Sequence, residues 1–97
     1  MRSVLHEALA TWGGEKQTLK VYEEMAELQK ELVKNSWGED NRLAIAEEIA
    51  DVRIMLDQMC ILHDCEDLAK VYRTQKLVRL AERVEKARGE KGEGKKQ

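Results

Sequence analysis

The chain is 97 residues long, with 17 Lys and Arg set against 19 Asp and Glu and a net charge of −2. Both signs are interspersed, which excludes the basic footprint of a nucleic-acid binder. That length builds one modest hydrophobic core and not two. Proline is absent, Glu, Lys, Leu and Ala abound, and β-branched runs are few, so residues 1–88 are expected to form one all-α, four-helix bundle-like domain. Cys60 and Cys65 make neither a CxxC pair nor a zinc spacing, which suits reduced thiols in a cytoplasmic protein. His6 and Glu7 interrupt any signal-type apolar run, and no stretch has transmembrane length, so no membrane partner is expected.

The first helix is expected from Ser3, as N-cap, to Thr11 or Trp12, with Gly13-Gly14 ending it. Val4, Leu5, Ala8 and Leu9 form a short apolar face that must dock on other helices. Trp12 is expected to pack as a lid over the core, with stacking on a nucleobase as the alternative, and His6 to be a surface or core residue rather than a ligand. The second helix is expected over 15–34, with Val21, Met25, Leu28 and Leu32 as a coiled-coil-like stripe. Residues 35–41 are rich in turn formers and read as a loop. In that loop Trp37 either covers the end of the bundle or stacks on a planar base.

The third helix is expected over 42–63, with Ile45, Ile49, Val52, Leu56 and Met59 on one stripe and Ile54, Met55, Ile61 and Leu62 on other sides. A helix apolar nearly all round is buried on several sides, so part of it is expected to meet another subunit in a homodimer or homotetramer. A short turn precedes the fourth helix, expected over 67–87. On it Lys76, Arg79 and Arg83 recur at i, i+3 and i+7 and share a face, either a solvated basic face or a clamp for a triphosphate. The segment 89–97, GEKGEGKKQ, has nothing to bury and is expected to be a disordered tail.

Two acidic clusters stand out on the second and third helices, Glu23-Glu24-Met25-Ala26-Glu27 and Glu47-Glu48-Ile49-Ala50-Asp51. Glu24 with Glu27, and Glu48 with Asp51, are three apart and so lie one above the other on adjacent turns. Four carboxylates brought together repel unless a cation sits between them, and a hard divalent ion such as Mg²⁺ takes oxygen ligands. At ~100° per residue, Glu48 shares a line with Met55 and Leu62, where a lone carboxylate is costly. Glu24 borders the apolar stripe, whereas Glu27 lies further round, among lysines. Spacing and placement together favour a metal site over a solvated face.

The two motifs, with twenty residues between Glu27 and Glu48, resemble the signature of MazG-like nucleoside triphosphate pyrophosphohydrolases, of the all-α NTP pyrophosphatase superfamily. EEIADVRIML is similar to that family's acidic helix, and KLVRLAERVEK resembles its C-terminal basic segment. The resemblance implies an oligomeric helical bundle that hydrolyses an NTP or dNTP between the α and β phosphates. It implies Glu24, Glu27, Glu48 and Asp51 as ligands of Mg²⁺, or alternatively Mn²⁺. It implies Glu23 and Glu47 as catalytic-base or supporting acids, and Lys76, Arg79 and Arg83 as phosphate contacts. One departure is Thr74, where many members carry asparagine, and it bears on base or sugar recognition. Two alternatives stand beside this expectation: a phosphoribosyl-ATP pyrophosphatase, and a non-enzymatic helical oligomerisation or binding module.

Overall fold

The computed structural model describes residues 2–96, with side chains described over 4–90. Among the described residues the secondary structure is all α-helical: α1 (Arg2–Trp12), α2 (Gly14–Ser36), α3 (Arg42–Leu62) and α4 (Glu66–Lys96). The chain divides into two compact units, Met1–Asp64 and Cys65–Gln97. No helix among the described residues is long and apolar enough to cross a membrane.

The break between α1 and α2 rests on one residue. Gly13 has φ +88°, a left-handed conformation that a Cβ disfavours. Its N–H donates to the Leu9 carbonyl at 2.8 Å, closing α1, and its own carbonyl accepts from Gln17 N–H at 3.1 Å, opening α2. Gly38, at φ +97°, does the corresponding work just after α2. Its N–H donates to the Asn35 carbonyl at 2.9 Å, and Trp37 N–H is shared between the Val33 and Lys34 carbonyls. The short loop that follows delivers the chain to α3 at Asn41.

Within the first unit α2 and α3 pair, and α1 packs on both. The pairing is antiparallel, since Gln17 near the start of α2 bonds Gln58 near the end of α3, while Asn41 before α3 bonds Glu31 late in α2. Val21 and Met55 are buried between them, together with Gln17 and Gln58. This core is thin: among the described residues no large side chain is fully enclosed.

Several expectations are corrected. Ser3 lies inside α1, which starts at Arg2, and so is not its N-cap. The stripe chosen for α3 is displaced, since Ile49 and Leu56 are exposed and Met55 is buried. An all-round apolar helix does not announce which face it will bury; here it is the line of Met55, which also carries Glu48. On α2 the buried end of the stripe is Val21, while Met25 and Leu32 remain exposed. Trp12 is exposed rather than a lid, because the turn at Gly13 leaves it beside the first turns of α2. The last helix is bounded at Lys96, past the expected end at residue 87. Glu, Lys and Arg are good helix formers, and the sequence past residue 87 has no proline to stop it.

Candidate metal centre

Helix periodicity brings α2 and α3 together along a seam with three polar rungs. Gln17, Glu24 and Glu31 follow one another at seven-residue steps on α2, two turns apart and on one face. Opposite them lie Gln58 and the pair Asp51 and Glu48 on α3, and Asn41 just before it, with the same seven-residue steps from Gln58 to Asp51 and from Glu48 to Asn41.

The outer rungs are satisfied. Gln17 Nε2 donates to Gln58 Oε1 at 2.7 Å, with both residues buried. At the other end Asn41 Nδ2 donates to the Glu31 backbone carbonyl at 2.8 Å and to Glu31 Oε1 at 3.0 Å. Lys34 Nζ stands 3.3 Å from Glu31 Oε2. The Asn41 hydrogen bond, reinforced by Lys34 and Lys30 against the opposing effect of burial, holds the Glu31 carboxyl below the usual carboxylate range.

The middle rung is not satisfied. Glu24, Glu48 and Asp51 each present a carboxylate oxygen within 4.8 Å of the others. Glu24 has a partial partner, since Lys20 Nζ lies 3.7 Å from its Oε1. Glu48 Oε2 is buried and has no hydrogen-bond partner. Burial first, then the negative charges of Asp51, Glu24, Glu27 and Glu31, push the Glu48 carboxyl above its ordinary value. A buried carboxylate oxygen without a donor, facing two more carboxylates, is a costly arrangement in the absence of a cation. Three hard oxygen donors converging from two helices fit a small divalent ion of the Mg²⁺ or Mn²⁺ kind.

The remaining expected site residues divide. Glu27 is exposed and outside the converging group, as its position further round α2 requires. Glu23 and Glu47 are exposed beside the cluster residues that follow them in sequence. Glu23 also lines an open cleft of about 470 Å³ with Trp12, Lys16, Gln17, Leu19 and Lys20. Trp37 is 82 % exposed in the α2–α3 loop. Lys76, Arg79 and Arg83 are exposed on α4, in the second unit, where Lys76 lines a shallow groove with Ala69, Tyr72, Arg73, Leu77 and Leu80. Thr74 Oγ1 donates back to the Lys70 carbonyl at 3.2 Å, so the hydroxyl is engaged by its own helix.

Gln17, Gln58, Glu31 and Asn41 belong to the seam without belonging to either acidic motif. The available signal was their seven-residue spacing from the acidic motifs, a heptad of polar residues beside an apolar stripe. No known protein family, curated protein or solved structure matches this chain.

Proposed function

We propose that the chain is a Mg²⁺-dependent nucleoside triphosphate pyrophosphohydrolase, converting an NTP or dNTP and water into the monophosphate and pyrophosphate. One observation carries this reading: the partnerless, buried Glu48 Oε2 among three convergent carboxylates, on the helix pair whose motifs resemble that family. Glu24, Glu48 and Asp51 would hold the ion; Glu27, the fourth ligand that the resemblance implies, stands outside the converging group. Bound there, Mg²⁺ or Mn²⁺ supplies neutralisation of phosphate charge and acidification of a water molecule.

The chain's own groups do the rest. An exposed carboxylate next to the centre, Glu23 or Glu47, accepts a proton from the attacking water. For Lys76, Arg79 and Arg83 on α4 the resemblance implies phosphate contacts through charge-assisted hydrogen bonds. Of the two tryptophans, Trp12 has the better seat for a base, since it shares a cleft with Glu23 and Lys20, next to Glu24. Trp37, in its exposed loop, is the second candidate for stacking.

The functional unit in this reading is a cytoplasmic homodimer or homotetramer. Exposed Leu43, Ile54 and Leu56 on α3, and Val71, Leu77 and Leu80 on α4, support association. The test is pyrophosphate release from a panel of canonical and modified (d)NTPs, with phosphoribosyl-ATP included, in Mg²⁺ and in EDTA. Release that depends on Mg²⁺ is expected. Hydrolysis of phosphoribosyl-ATP alone would reassign the substrate, and no release from any compound would leave a non-enzymatic helical module.

A further inference from the structure

We infer that the buried Gln17–Gln58 pair is a register pin, two positioning residues that hold α2 against α3 so that Glu24 meets Glu48 and Asp51. The inference rests on the metal-centre reading above, but its evidence is separate. Both amides are nearly fully enclosed, at 6 % and 4 % exposure, in a thin core. Their 2.7 Å hydrogen bond joins two buried side chains across the helix pair. Gln58 Nε2 also faces the Met55 sulfur at 3.7 Å, a weak acceptor.

A neutral hydrogen bond adds little net stability, because folding exchanges it for bonds to water. Its leverage lies in the wrong arrangements. Apolar contacts are non-directional and tolerate sliding, whereas two buried amides pulled apart each lose a partner. Fixing register is the best-attested use of such buried polar groups.

The geometry gives that register a consequence. Gln17 precedes Glu24 by seven residues and Gln58 follows Asp51 by seven. In an antiparallel pair the pin therefore sits ~10 Å, two turns, from the carboxylates and on the same seam. A slip of one helical turn displaces one helix by ~5.4 Å, more than the 4.8 Å that spans the carboxylate oxygens. The α2–α3 loop and the Asn41 bonds restrain the far end of the pair; the Gln rung restrains the open end.

The experiment replaces both glutamines by methionine, which keeps length and removes the directional bond, with the Leu/Leu pair as a second variant. Q17M/Q58M is expected to melt cooperatively at a temperature equal to or above that of the wild type. Its ¹H–¹⁵N spectrum is expected to show doubled or broadened amide resonances along α2 and α3. Its affinity for Mn²⁺ alone, by calorimetric titration, should fall at least ~10-fold. A folded variant with one sharp set of resonances overturns the inference, whatever its Mn²⁺ affinity. So does a failure of both variants to fold, which would make the pair a plain stability element. A wild type that binds no Mn²⁺ sinks the metal reading instead, and the pin is then judged by the resonances alone.

Discussion

The middle and outer rungs of the α2–α3 seam hold similar residues in similar places and behave oppositely. Glu31, half-buried at one end, has an amide donor at 3.0 Å and a lysine at 3.3 Å, and its carboxyl is held below the usual range. Glu48, also half-buried and one rung away, has a buried oxygen without a donor, and its carboxyl is pushed up by burial and by its acidic neighbours. Burial alone therefore does not mark a functional carboxylate. A half-buried acid whose neighbours complete it is structural; one whose neighbours are more acids has a place for something positive.

The comparison breaks most visibly at Glu48. Glu48→Gln should lower kcat/KM for pyrophosphate release at least ~100-fold, while raising the metal-free melting temperature because a repelled charge is gone. Glu31→Gln should do the reverse, keeping turnover and lowering the melting temperature. Parallel steady-state kinetics and thermal melts of the two variants check this, and equal effects from both would erase the distinction.

A smaller effect is expected away from the seam. If the charge of a bound triphosphate is shared with α4, Arg79→Ala removes one charge-assisted contact worth about 1.5–3 kcal/mol. That corresponds to ~10- to 150-fold in kcat/KM at 25 °C, equal for every nucleotide since phosphates are common to all. Full activity in this variant would return the basic stripe to a solvated face.

The two acids should also oppose each other in pH dependence without metal. Glu48, with its folded-state pKa raised, contributes stability that is fully present below the unfolded carboxylate value and is lost as pH rises through the raised value. Glu31, with its folded-state pKa lowered, contributes stability present above the unfolded value and lost as pH falls through the lowered one. Melting temperatures measured across the acidic range in EDTA should therefore lose their high-pH decline in Glu48→Gln and part of their low-pH decline in Glu31→Gln. The smallest expected effect is at the loop. Asn41→Ala should lower the melting temperature by about 4–8 °C and leave nucleotide preference unchanged.

Much of the helical framework is legible in the sequence. The glycine at 13, the turn formers between 35 and 41 and the absence of proline place four helices in order, with ends shifted by a residue or two except at α4. The three-residue spacing of carboxylates, and the apolar line that Glu48 shares with Met55, point to Glu24, Glu48 and Asp51, which the fold brings together, and equally to Glu27, which it leaves outside the group. The rest depends on which face α3 turns inward, and an almost uniformly apolar helix leaves that to tertiary packing. Burial of Gln17 and Gln58 is invisible to composition, because glutamine is ordinarily a surface residue and only its cross-helix partner makes burial tolerable. Asn41 reads as a turn former, yet its side chain reaches back to Glu31 and does not cap α3.

The claim that the middle rung is built around a divalent cation is tested most directly by thermal melting of the wild type and Glu48→Gln, each in EDTA and in Mg²⁺. A cation that binds only the folded carboxylate cluster should raise the wild-type melting temperature by ~10 °C or more at a hundredfold excess over Kd. In Glu48→Gln the shift should vanish, with a metal-free melting temperature above that of the wild type. A wild type whose melting is the same in EDTA and in saturating Mg²⁺ would contradict the account.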